Sequence, residues 1–234
     1  MAHPLDIEGH TSRAFDGAMS SLHLAVVEVG GLVLMQARQA GASYVDRDPA
    51  LARQVADRHN LVSIRVRAIE ETVLALIARR QPVASDLRVI LAMSRTAWEY
   101  ARASGTAARV AAGVSGQGGR AAEGPGQATG RDVRHLAELA QDMLSRGLEA
   151  LDRLDPALAG RVVLLDAELD AEFAAGLRRL MSRTIEDGRL ISRGLESAFA
   201  LKSFERIGDH AKAVAQLVCD AGQALAQARD APAG

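Results

Sequence analysis

Only one cysteine, Cys219, occurs in the 234 residues. This excludes an internal disulfide, a cysteine-based zinc cluster and an iron–sulfur site, and it fits a reducing compartment. Aromatic residues make up 3% of the chain and proline occurs six times, so residues that favour strands and residues that break helices are both scarce. Charge of neither sign dominates: the formal net charge is -1 and the pI about 6.6. No broad basic field is present to draw the chain to nucleic acid or anionic lipid, and neither a basic helix nor an aromatic stacking surface is evident. Long hydrophobic runs are missing as well. Leu22 to Met35 is broken by His23, Glu28, Gly30 and Gly31, short of the roughly 20 apolar residues that span a bilayer. The first residues, M-A-H-P-L-D-I-E-G-H, lack the apolar centre of a secretory signal. Any membrane association is expected to be peripheral, through a partner.

What the chain does have is apolar residues at helical spacing almost throughout, within a 48% hydrophobic composition. The pattern predicts an all-α fold. Helices are expected at Thr11 to Gly41, Pro49 to Arg80, Ser85 to Ala112, Asp132 to Arg153, Pro156 to Arg183 and Asp187 to Ala228. Asp48 is a good N-cap and Pro49 follows at the first helical position, where its missing N–H is not needed. The stretch from Gly113 to Gly130 holds too much glycine for a helix and reads as a flexible linker.

The second half echoes the first. Asp48-Pro49-Ala50-Leu51-Ala52 recurs 107 positions later as Asp155-Pro156-Ala157-Leu158-Ala159, and Val55 then falls on Val162. Each half offers three long helices in the same order. The expected architecture is two tandem three-helix bundles related by internal duplication, 11–112 and 131–228, joined by a linker at 113–130.

Two pairs of acids stand out. Glu205 and Asp209 lie one turn apart in F-E-R-I-G-D-H-A, with Gly208 between them; Asp166 and Asp170 repeat the spacing in L-D-A-E-L-D. Four residues is the separation that puts two side chains on one helix face, where like charges repel. With Lys202, Arg206 and Lys212 nearby, a solvated face is one reading. If the fifth and sixth helices run antiparallel, the other is a cage of four carboxylates, tolerable only around cations. An all-oxygen cage suits iron, manganese, magnesium or zinc. The repeat carries Asp166 and Asp170 back onto His59 and Ser63, and Glu205 and Asp209 onto Ala101 and Gly105. The first half has therefore lost all four acids, and His59 is its single potential ligand. His210 points about 100° away from the acidic face and is a weak ligand candidate.

Phe204-Glu205-Arg206-Ile207-Gly208-Asp209-His210-Ala211 resembles the E-R-I-G-D signature of the PhoU family, regulators of bacterial phosphate uptake and signalling. Gly30-Gly31-Leu32-Val33, Arg80-Gln81-Pro82 followed by Ala84-Ser85-Asp86-Leu87-Arg88, and Asp166-Ala167-Glu168-Leu169-Asp170 agree with it in order and spacing, from about Arg13 to Val218. The resemblance implies two three-helix bundles, metal ions held by E/D-x-x-x-D motifs, iron first, and no catalytic turnover. It also implies a cytoplasmic negative regulator touching the ATPase of the phosphate ABC transporter and a phosphate-sensing histidine kinase, with a homodimer expected. Carried over by position, the metal residues are Asp166, Asp170, Glu205 and Asp209, while Ala101-Arg102-Ala103-Ser104-Gly105 departs from the motif.

Two other function classes stand beside this one. A helical-bundle metalloenzyme would want a ligating His and open coordination, and no His lies at ligand spacing with the acids. A metal-free helical interaction protein would have kept only part of the motif. Asp86 and Arg88 read as partner contacts or, more blandly, as first-turn residues that suit the helix dipole. Trp98 and Tyr100 read as core or interface aromatics.

Overall fold

The computed structural model describes residues 13–82, 84–115 and 126–230. These residues form six long helices and no strand: α1 Arg13–Asp46, α2 Pro49–Arg80, α3 Ala84–Ser115, α4 Gln127–Arg153, α5 Pro156–Glu186 and α6 Ile191–Asp230, the last preceded by a single 3₁₀ turn at Gly188–Leu190. The all-α expectation holds.

The repeat extends into backbone geometry. The Asp48 carboxylate accepts from the N–H groups of Ala50 (2.8 Å) and Leu51 (3.0 Å), and the Asp155 carboxylate accepts from Ala157 (2.8 Å) and Leu158 (3.1 Å). Each proline then opens its helix. The residue before each cap is left-handed: Arg47 has φ 54° and Leu154 φ 48°. The turns also close alike, with the Asp48 N–H donating to the Ser43 carbonyl (3.0 Å) and the Asp155 N–H to that of Ala150 (2.9 Å). Neither turn uses the glycine that usually takes this conformation. The same strained turn at equivalent positions points to a shared ancestor of the two halves.

Within each half the three helices pack on one another, and the halves then meet through α3 on α6 and α1 on α4. α2 and α5 flank this pairing, packed mainly on their own neighbours. Val26 and Val33 of α1, Val62 of α2, Tyr100 of α3, Leu144 of α4, Leu169 of α5 and Phe204 of α6 belong to one continuous hydrophobic core. The two bundles share an interior, which neither could bury alone. Cys219 is half-buried against that core, and burial pushes its thiol pKa up, as expected of a small core residue.

Several sequence boundaries are corrected. α1 continues past Gly41 to Asp46, because Gly41 is a contact point and not a terminator: a Cβ there would stand 3.3 Å from Ala137 Cβ on α4. The linker is shorter than 113–130, since 113–115 finish α3 and 127–130 begin α4; positions 116–125 lie outside the described residues. Asp187 opens the 3₁₀ turn, not α6 itself. The expectation that nothing reaches spanning length is corrected too: by length and composition Phe15–Asp46 is apolar enough to cross a membrane. Its apolar residues have another use in this fold, because Val26, Val29, Val33, Ala37 and Ala40 are buried against neighbouring helices.

Candidate metal centre

α5 and α6 run antiparallel along nearly their whole length. Pro156 meets Gly222, Leu169 meets Gly208, Gly176 meets Leu201 and Thr184 meets Gly194, in opposite order on the two helices. Gly208 is the tightest of these points, where a Cβ would lie 2.0 Å from Leu169 Cδ2. Glycine inside the acidic motif is thus explained by helix approach: the absence of a side chain lets α5 sit close to the segment bearing Glu205 and Asp209.

The four acids divide two and two. Asp166 and Glu205 are buried, with 6% and 8% of their surfaces exposed, whereas Asp170 and Asp209 are exposed. The buried pair is met by lysines. Lys212 donates from Nζ to Asp166 Oδ2 across the helix pair, and Lys202 donates to Glu205 Oε1 at 2.5 Å within α6. Lys202 Nζ also lies 5.3 Å from the centre of the Phe173 ring on α5. The hydrogen bond to Asp166 raises the Lys212 pKa above its ordinary value, partial burial opposes it, and the negative charges of Asp166, Asp170 and Asp209 add to the rise. Three of the four acids therefore share one electrostatic neighbourhood around Lys212.

One oxygen of each buried acid is left over. Asp166 Oδ1 and Glu205 Oε2 are buried without a hydrogen-bond partner. An unmet buried carboxylate oxygen costs on the order of 1–3 kcal/mol, and a bound cation is one way to offset it. The donor chemistry, carboxylate oxygens from two packed helices, fits a hard metal ion. In the present side-chain arrangement, no group of three or more His, Cys, Asp or Glu among the described residues is close enough to hold one. The lysine ammonium groups supply the positive charge instead.

The equivalent place in the first repeat is built from different chemistry. His59 Nδ1 is hydrogen-bonded to Ser104 Oγ at 2.9 Å, and its ring lies 3.6 Å from where a Gly105 Cβ would stand. Ser63 Oγ turns back to the His59 carbonyl at 2.9 Å. Ala101 and Gly105 bring no donor, so a hydrogen-bonded histidine–serine pair occupies the position where α5 and α6 carry acids.

Two arrangements were not legible beforehand. His210 reaches across to the first repeat, its Nδ1 lying 2.8 Å from Glu99 Oε2, and Glu99 also accepts from Arg102 at 3.0 Å. The roughly 100° offset of His210 from the acidic face was the available signal, and it directed the ring toward α3. The aromatic pair also divides: Tyr100 is buried, which pushes its hydroxyl pKa up, while Trp98 is 43% exposed. Asp86 is buried in the first turn of α3, whereas Arg88 is exposed.

Comparison with known proteins agrees over nearly the whole chain. The PhoU domain family model matches twice, at residues 26–114 and 133–218, once per repeat. A protein of Pseudomonas aeruginosa named phosphate-specific transport system accessory protein PhoU homolog is 35% identical over 209 residues, 89% of this chain and 85% of its own length. The PhoU protein of Escherichia coli K12, named as a phosphate-specific transport system accessory protein, is 28% identical over 92% of this chain and 87% of its own length. Among solved structures, Pseudomonas aeruginosa PhoU superposes with a TM-score of 0.83 at 35% identity, covering 87% of this chain and 96% of that one. PhoU from Streptococcus pneumoniae shares the fold at 20% identity, with a TM-score of 0.77, 87% of this chain and 94% of that one. With both repeats matched, and with Asp166, Asp170, Glu205 and Asp209 falling in the second of them, this chain belongs to the PhoU family.

Proposed function

We propose that this protein is a regulatory accessory of a phosphate-specific transport system, acting by contact and not by turnover. The observation that carries the reading is the match to PhoU relatives of that name across 89% of the chain. In this reading the protein is cytoplasmic and dimeric. It touches the transporter ATPase and a phosphate-sensing histidine kinase, relays transport state between them and represses the phosphate response. The shared core between halves suits such a relay, because a load applied to one repeat is carried into the other through α3 and α6.

The same proposal assigns Asp166, Asp170, Glu205 and Asp209 to metal ions, iron first, with zinc, manganese or magnesium as alternatives. A bound ion would neutralise acids from two helices and stiffen their junction. The orphaned oxygens of Asp166 and Glu205 support this. Lys212 and Lys202 would have to release Asp166 Oδ2 and Glu205 Oε1 to complete a ligand set.

Those lysines also favour a second reading, a metal-free adaptor in which internal ammonium groups have replaced the ion. Elemental analysis of purified protein separates the two. Deleting the gene and measuring phosphate-regulated transcription tests the regulatory role: the response should become constitutive in high phosphate, and a response still fully repressed would refute it.

A further inference from the structure

A groove of about 630 Å³ opens where the C-terminal ends of α1 and α3 meet the first half of α6. Val110 of α3, Ala200 of α6 and the Tyr44 ring of α1 give it carbon walls. Phe199 stands in the lining with 67% of its surface exposed, an aromatic face with no packing partner sufficient to cover it. Three cations share the lining: Arg109, Lys202 and Arg206. Lys202 is committed to Glu205, and the groove's one carboxylate, Glu196, is paired with Arg47 at 3.6 Å. Arg109 donates to the Thr106 hydroxyl at 2.8 Å, and neither it nor Arg206 meets a carboxylate among the described residues. Two guanidinium groups, one from each repeat, thus border an apolar hollow without a counter-charge.

We infer that this groove binds a soluble organic phosphate with a flat apolar body, the class that nucleotides exemplify. Guanidinium groups bind phosphate oxygens in pairs and hold their charge at any physiological pH, so Arg109 and Arg206 take the anionic end. Phe199 offers its ring to the flat body, and Val110, Ala200 and Tyr44 cover the other side. The volume lies within the roughly 300–1,000 Å³ of small-molecule sites. Because the arginines come from α3 and α6, a ligand held by both would clamp the two repeats together. Lys202 links the groove lining to Glu205, but the two arginines that take the phosphate pair with none of the four acids of α5 and α6, and occupancy does not depend on the regulatory reading.

Calorimetric titration of the full chain with AMP and ATP tests the inference, with inorganic phosphate, adenosine and phosphatidylglycerol vesicles as comparison arms. Saturable nucleotide binding is expected, with phosphate and adenosine each at least about tenfold weaker. Joint replacement Arg109→Ala and Arg206→Ala should weaken binding at least about tenfold, and Phe199→Ser a few-fold. Both arginines are exposed, so the variant's melting temperature should match the parent's. As a second variant, Ser203→Trp fills the groove from α6 and should abolish binding with both arginines in place. The inference is overturned if neither nucleotide binds, if the arginine pair or the filled groove makes no difference, if inorganic phosphate binds as tightly as AMP, or if only the vesicles bind.

Discussion

Gly208 and Leu169 touch so closely that a Cβ at position 208 would stand 2.0 Å from Leu169 Cδ2, and the buried Leu169 side chain would have to move to admit it. Gly208→Ala should therefore destabilise the protein although alanine is the better helix former. Overpacking costs about 1–3 kcal/mol, against a helix gain of about 1 kcal/mol. A fall of a few degrees in melting temperature is expected. Gly31→Ala is the matched control, because nothing lies within 4 Å of a Cβ there; it should be neutral or stabilising. Equal melting temperatures for the two variants would remove helix approach as the reason for the motif glycine.

The acids and lysines of α5 and α6 make opposite predictions for metal content. Glu205→Ala with Asp209→Ala should lower metal retained on purification at least about tenfold, since even supporting residues of metal sites are worth that much. Ser63→Ala in the first repeat should leave it unchanged. Lys212→Met removes the ammonium that competes for Asp166 and should raise metal content. Elemental analysis reads all three, and metal that persists in the double variant would place it elsewhere.

Lys212 also makes a pH prediction. Its pKa in the fold is raised above the ordinary 10.5, chiefly by the hydrogen bond to Asp166. A raised lysine pKa stabilises the fold fully below the unfolded value, and the contribution is lost as pH rises through the folded one. Metal-free protein should thus lose melting temperature more steeply above pH 10 than Lys212→Met does. Parallel curves for the two proteins would show that the pair contributes nothing to folding.

The His210–Glu99 contact at 2.8 Å ties the motif of the second repeat to α3 of the first. A double-mutant cycle with His210→Ala and Glu99→Ala should show a coupling of about 0.5–1.5 kcal/mol in urea unfolding. Additive single changes would mean the contact is not energetically joined.

How much could be read beforehand differs residue by residue. Asp48-Pro49 and Asp155-Pro156 mark helix starts by chemistry that acts within a few residues, so α2 and α5 begin where the sequence places them. Gly41 carries the same local signal as a terminator, yet its use is set by Ala137 on a distant helix, and α1 runs past it. Ile191, Leu195 and Phe199 are spaced as one helix face and are exposed, and periodicity alone does not separate such a face from a buried one.

The helices, their repeat and the acids spaced one turn apart follow from the order of residues along the chain, because periodicity, capping and like-charge spacing are properties of one helix at a time. Tertiary structure decided which acids are buried and what meets them. Asp166 and Glu205 are covered while Asp170 and Asp209 face water, and Lys212 reaches Asp166 from the opposite helix. The physical reason is that desolvation and charge pairing depend on how closely two helices approach, and that distance is set by contacts such as Gly208 on Leu169.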